Sequence, residues 1–447
     1  MLGDFLSSLF VAGLLVAFGV LILRVFAGES ESQCQKIFLL GFFVRIVSMY
    51  ALYFVLLEAN GHGFAFADDR DYHFAGKMLA GVMGFGGGAM ERLGIVSNPG
   101  YFYFVGVLYE LFGDNTLVAR VFNVFFSSLT AIVVYLIALE LWDKRSAKLA
   151  GYLFALMPNM IFWSSLQFKD SLVILLLAYL FYVFIAGLRR NLMLLAYGAA
   201  FAALAMISTL RRDLLVLLIG LVILWFVLKA YRTQFSALFG SRKGITVFVA
   251  GFGLMTALFV GVVVYTTPLG VELAQRYEYL ANVDVTTRDQ GRGFATRGSV
   301  ELGGSRFFRI NSVEDLVKLP ASMLFTLAMP PPATSLAVGG VGYMIYSWAN
   351  VFLLALIPFM AWGVWKFRVE HLVKRVFFVW YPLVMLAIIT ILFMGVLRYK
   401  ELLMPFFTLW IVQGYRWRRP VIEYVPLVYT FGAMVFFAMS QIPVFLR

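Results

Sequence analysis

Within Ala67-Asp-Asp-Arg-Asp-Tyr-His73, three carboxylates fall inside four residues. Asp68, Asp69 and Asp71 repel one another. Close to a low-dielectric membrane, at least one of them is expected to titrate above the ordinary carboxylate range unless a cation or metal compensates. A carboxylate so placed can act as a general base toward a hydroxyl or amine. The bland reading is an acidic helix N-terminus, where Asp is favoured by capping and by the helix dipole. A third reading is a divalent metal held by these carboxylates with His62 or His73, two histidines too far apart in sequence to give more than a weak signal. Basic residues interrupt apolar runs at Arg211-Arg212-Asp213 and again at Arg398-Tyr-Lys400-Glu401. Such residues can grip an anion at the membrane surface, a lipid-linked phosphate above all; alternatively their long side chains snorkel to lipid headgroups. Lys169-Asp170 reads either as a local ion pair or as a substrate contact.

The elements that must carry these groups are membrane helices. Of 447 residues, 62% are hydrophobic and only 13% charged, which excludes a soluble enzyme. Apolar runs long enough to cross a bilayer occur near 5–26, 37–57, 116–142, 146–165, 169–188, 191–209, 212–230, 245–266, 343–365, 376–397, 401–415 and 421–443, about twelve crossings. The first starts with Asp4 and is too long for a cleavable signal. If 58–115 lies outside, half of the 36 basic residues fall in the short loops of the opposite side, which by the positive-inside rule is the cytoplasm and also holds Cys34. That single cysteine allows no intrachain disulfide and no cysteine metal cluster. The net charge of +12 is accounted for by orientation, so nucleic acid is not expected as a partner. Arg45 and Arg120 stand as intramembrane charges.

The chain therefore reads as an all-α polytopic membrane protein, a single integral membrane domain over 1–447. Two outer stretches are set into it. The first, 58–115, carries the acidic motif, an interfacial helix with Tyr72, Phe74, Ala75, Met78, Leu79 and Val82 at helical spacing, the turn Gly84-Phe-Gly-Gly-Gly88, and a second surface helix over 99–112. The second, 267–342, contains Arg288, Arg292, Arg297, Arg306 and Arg309 among glycines. It ends in an apolar run and Pro330-Pro331-Pro332, a pattern compatible with a re-entrant segment.

Taken with their order along the chain, these motifs resemble the GT-C membrane glycosyltransferases, in particular the aminoarabinose transferase and protein O-mannosyltransferase group. The resemblance lies in Asp68-Asp69 with Tyr72, where the group has an Asp-Glu pair. It continues through Asn98-Pro-Gly-Tyr-Phe-Tyr-Phe104, Leu111-Phe-Gly113, Ala119-Arg-Val-Phe-Asn123, Val134 to Trp142, Leu156-Met-Pro158 to Lys169-Asp170, Leu210-Arg-Arg212, and Arg398 to Pro405. Asn98 stands where many members carry Lys. The resemblance implies a GT-C-like bundle and an inverting transfer of a sugar from a polyprenyl-phosphate donor to a lipid, glycan or protein acceptor. The reaction would take place at the outer, periplasmic face of the cytoplasmic (inner) membrane. By position in the motif Asp68 would be the base, with Asp69 and Asp71 positioning the site or holding a metal. Arg211, Arg212, Arg398 and Lys400 would bind the donor phosphate, and Tyr72, His73, Asn98, Tyr101, Lys169 and Asp170 the substrates. No cofactor is required by this reading; Mg2+ or Mn2+ is the alternative. Two rival functions remain at this stage. One is an O-antigen or exopolysaccharide polymerase or ligase using the loop arginines on lipid-diphosphate-linked glycans, and the other a transporter or flippase, for which no two related halves are visible.

Overall fold

A computed structural model of the chain describes residues 2–81, 99–189, 194–211, 214, 218–220, 222, 317–328, 341–367, 376–393 and 397–417. Among these residues every regular element is helical. In chain order they are α1 (Leu2–Phe26), α2 (Glu31–Asn60), α3 (Ala67–Gly81), α4 (Gly100–Phe112), α5 (Thr116–Leu141), α6 (Lys144–Ala155), α7 (Pro158–Ser164), α8 (Asp170–Arg189), α9 (Leu194–Leu210), α10 (Leu319–Ala328), α11 (Val341–Phe367), α12 (Tyr381–Phe393) and α13 (Met404–Arg416). A tight 3-10 segment, Leu397–Leu403, leads into α13. Among the described residues, five helical stretches are long and apolar enough to cross a membrane: Leu2–Val25, Gly28–Asn60, Thr116–Leu141, Asp170–Gly187 and Met344–Phe367. The chain is a multi-pass membrane protein. The expected crossings at 245–266 and 421–443, and nearly all of 212–230, lie outside the described residues.

The central element is α5, whose N-cap Asn115 accepts the Leu117 N–H at 3.0 Å. It packs on α1, α2, α6 and α8. With a rise of about 1.5 Å per residue, the 26 residues of this helix extend about 39 Å, enough to separate the two faces of a bilayer. Near its beginning it meets α3, and its far end turns into the basic run Lys144-Arg145. The helices over 67–81 and 100–112 pack on each other.

One expected crossing, 146–165, is instead two short helices, α6 and α7. Pro158 has no N–H to offer the Phe154 carbonyl, so the helix cannot continue through it. Arg45 supplies the missing donors. Its guanidinium bonds to the carbonyls of Phe154 (3.0 Å) and Ala155, and to Ser127 Oγ (3.0 Å). This intramembrane charge therefore caps a helix C-terminus, where a cation is favoured. The expected crossing at 401–415 begins instead in the 3-10 turn. The rest of it, α13, crosses α11 closely because Gly363 and Gly414 let the backbones touch; a Cβ on either would collide with the carbonyl of Trp410 or Phe359.

Candidate active site

Helix α2 ends at Gly61, whose left-handed backbone (φ 76°) lets its N–H close on Leu57 O at 2.8 Å. The chain turns again at Gly63 (φ 70°), a position at which a Cβ would also strike Tyr53. This double turn aims the Gly63 carbonyl at Arg120 Nη2 (2.8 Å) and delivers α3 with its acids at the first turn.

The three carboxylates then diverge. Asp69 is completely buried. Its Oδ2 accepts from Arg120 Nη2 (3.2 Å) and from the Ala65 N–H (3.1 Å), and its Oδ1 accepts from the Gln167 N–H (2.9 Å). Asp68 beside it is half-buried, and Asp71 is exposed. The expected upward shift falls on Asp71, whose carboxyl is raised chiefly by desolvation and then by the Asp68 charge, with Arg70 opposing. Tyr72 is buried, packed on Tyr101 (4.8 Å between centroids) and Phe102 (4.7 Å). His73 Nδ1 faces two hydroxyls, Tyr109 Oη at 2.9 Å and Thr116 Oγ1 at 3.0 Å. Burial lowers its imidazole pKa; Lys77 and Arg120 add to this, and Asp114 and Asp69 oppose it.

The loop that accepts Asp69 runs directly into the second cluster. Asp170, at the start of α8, forms a buried ion pair with Arg211, and the Arg211 guanidinium lies 4.2 Å from the centre of the Tyr399 ring. Asp170 thus has a partner 41 residues away. Next to Tyr399, Lys400 Nζ donates to Asn350 Oδ1 (2.8 Å) and to Leu327 O at the end of α10 (2.9 Å). Glu401 accepts from Tyr346 Oη and from Asn159 Nδ2. Aromatic rings connect the clusters: Phe66 stacks on Trp163 (5.6 Å), Trp163 meets Tyr346 (5.0 Å), and the Lys400 ammonium is 5.9 Å from the Tyr346 ring.

The acidic motif, Lys169-Asp170, Arg211 and Lys400 are therefore gathered at one end of the bundle. Arg398 has a placed backbone in the 3-10 segment, while Asn98, Arg212 and the five loop arginines lie outside the described residues. Arg120, Asn123, Gln167, Asn159, Asn350, Tyr346 and Glu401 were not among the expected site residues. Arg120 and Asn123 did carry a signal, being polar residues one turn apart on one face of an apolar run. Among the described residues no group of three His, Cys, Asp or Glu side chains converges on a metal position.

A sequence model of the family "Dolichyl-phosphate-mannose-protein mannosyltransferase" matches residues 97–254, about a third of the chain. That family is one of the GT-C membrane glycosyltransferases that the motifs above resemble. No curated protein matches it. Among solved structures, the chain is similar to the archaeal oligosaccharyltransferase AglB from Archaeoglobus fulgidus in complex with an inhibitory peptide and a dolichol-phosphate. That match has 15% identity and a TM-score of 0.45, and covers 92% of this chain and 55% of that one. A second structure of the Archaeoglobus fulgidus oligosaccharyltransferase, with Zn and sulfate, matches at 12% identity and a TM-score of 0.45, covering 93% and 52%. The chain thus spans about half the length of the solved structures it matches.

Proposed function

We propose that the protein transfers a sugar from a polyprenyl-phosphate donor to a lipid, glycan or protein acceptor at the non-cytoplasmic face of the membrane, with inversion. The observation that carries this reading is the tie between the two clusters. Asp69 pins the acidic helix start to the loop 165–169, and the residue after that loop, Asp170, holds Arg211. A half-buried carboxylate and a group of cations are thereby fixed at one end of the bundle.

Asp69 has both oxygens occupied by donors and no exposure, so it serves as the anchor. Asp68 is the base, removing the proton from the acceptor as its oxygen or nitrogen attacks the anomeric carbon. The bond from that carbon to the phosphate oxygen breaks, and the polyprenyl phosphate leaves with the electron pair. Arg211, Lys400 and Arg398 stabilise the charge that develops on it, for which a guanidinium fork is well suited. Outside the cell no nucleotide sugar is at hand, which is why a lipid phosphate is the leaving group. Asp71 and His73 line the approach to Asp68. If a divalent cation takes part, the half-buried Asp68 and exposed Asp71 are the carboxylates available to it.

The reading is tested by reconstituting the purified protein in vesicles with a panel of radiolabelled polyprenyl-phosphate-linked hexoses and pentoses and cell-envelope acceptors. Transfer by the wild type from one of these monosaccharide donors is expected. Turnover only of lipid-diphosphate-linked oligosaccharides would replace the reading with that of a polymerase or ligase.

A further inference from the structure

We infer that Asn123 is a positioning residue for the reaction proposed above, acting through the loop between α7 and α8; the inference rests on that reading. Asn123 is fully buried one turn beyond Arg120 on α5. Its Nδ2 donates to the carbonyls of Leu166 (2.7 Å) and Phe168 (2.9 Å), and to Tyr101 Oη (2.9 Å). Between those two carbonyls, the Gln167 N–H points the other way and donates to Asp69 Oδ1 (2.9 Å). Successive backbone groups of a three-residue strip are therefore held from opposite sides, the carbonyls by the spanning helix and the amide by the acidic motif. Two residues further on, Asp170 carries Arg211.

The two N–H groups of this nitrogen are shared among the three acceptors. An apolar residue would leave the buried Phe168 carbonyl without this partner and the Leu166 carbonyl with the Phe168 N–H (3.1 Å), and a carboxylate would face both with its own oxygens. The backbone bonds of the strip itself, from the Leu166 N–H to Trp163 O (3.4 Å) and from the Phe168 N–H to Leu166 O, are local and do not set its height along α5. Asn123 sets that height, Asp69 sets its distance from α3, and together they fix the separation between the Asp68 carboxylate and the Arg211 guanidinium. Neither Asn123 nor the strip takes part in bond making; their effect is on the geometry in which Asp68 meets the acceptor while the donor phosphate is held.

A misplacement of about 1 Å in a reacting pair costs on the order of a hundredfold in rate. Asn123→Ala is therefore expected to lower kcat by about ten- to a hundredfold, with the donor KM changed by less than about threefold. Rates are taken per folded protein, with the folded fraction measured by size-exclusion chromatography and thermal unfolding. Asn123→Gln keeps both donors on an arm one methylene longer, folds more readily than the alanine variant, and is expected to lie between it and the wild type. A residue that only supports the fold would reduce the folded fraction and leave the kcat of the folded remainder at the wild-type value. That result overturns the inference, as does a KM rise that matches the fall in kcat, or a failure of both variants to fold. A wild-type protein that uses no donor on the panel would instead overturn the functional reading, and would do so before any variant is made.

Discussion

Two buried Asp–Arg pairs, Asp69 with Arg120 and Asp170 with Arg211, lie at the same end of the bundle and are joined by one short loop, yet they are built for different tasks. In the first, the carboxylate takes two backbone N–H groups in addition to the guanidinium, and the Arg120 side chain is held by the Gly63 carbonyl and the faces of Tyr53 and Phe64. The Asp69 carboxylate thus has both oxygens occupied, while Arg120 Nε and Nη1 are buried without hydrogen-bond partners. In the second, the guanidinium lies on the ring of Tyr399, the residue before Lys400, so that two cationic residues from distant parts of the chain flank one short segment. On the proposed function, adjacent residues of one motif, Asp68 and Asp69, would be divided between chemistry and anchoring. The division follows from which of them the double turn at Gly61 and Gly63 drives into the protein.

The sharpest way to break this contrast is to remove the charge from each acid in turn. Asp68→Asn is expected to lose transfer by about 10²–10⁴-fold, because an amide keeps the size but cannot take the acceptor's proton, while the unfolding temperature stays near the wild-type value. Asp71→Asn should cost much less. A dead Asp71→Asn beside an active Asp68→Asn would move the base to the other carboxylate.

Asp69→Asn should show the opposite pattern. It leaves the Arg120 guanidinium buried without a counter-charge, a change that typically destabilises by about 3–5 kcal/mol. Thermal unfolding in detergent is the readout, with the fall in stability the main effect and any loss of rate in the folded remainder coming from the loop that Asp69 positions. An Asp69→Asn protein as stable as the wild type would show that the pair is not an anchor.

On the cationic side, Arg211→Ala and Arg398→Ala are each expected to cost about 2–4 kcal/mol of transition-state stabilisation, read from kcat/KM. The lysine variants should recover only part of that, since an ammonium cannot donate the paired bonds of a guanidinium. Arg398→Ala with wild-type donor affinity and rate would place the phosphate elsewhere, on Arg211 and Lys400 or on the loop arginines 288–309. The side of the membrane is read separately. Cys34 is buried in α2 and cannot report it. In a Cys34→Ala background, a cysteine placed at exposed Lys77 should be labelled by an impermeant reagent in intact cells, and one at exposed Arg145 should not.

Much of this was legible in the residues. Hydropathy located the long helices because a bilayer admits few alternatives. The order of acidic motif, surface helix and late Arg-Tyr-Lys-Glu pointed to one class of enzyme, and the structure brings Asp170, Arg211 and Lys400 to the same end of the bundle as the acids. What the residues could not show was partnership. Nothing local assigns Arg120 to Asp69, 51 positions away, or divides Asp68 from Asp69. Asn159, Asn350 and Glu401 meet across separations of up to 242 residues. The break at Pro158 was visible as a proline, but it became legible only once Arg45 was seen taking over the carbonyls it leaves behind.

The smallest effect expected distinguishes the solvent-facing border of the acidic cluster from its buried anchor. His73 has its imidazole pKa lowered, mainly by burial, so the folded protein holds the neutral ring more strongly than the unfolded chain does. Its Nδ1 faces the hydroxyls of Tyr109 and Thr116. Stability linked to His73 is thus fully present above the ordinary histidine range of about 6.5 and is lost as pH falls through the lower folded-state value. The unfolding temperature of the wild type should decline between about pH 7 and pH 5. In His73→Gln, which can still meet one hydroxyl but does not titrate, that part of the decline should disappear. An unchanged slope in His73→Gln would assign the acid sensitivity to the carboxylates instead and remove His73 from the border of the site.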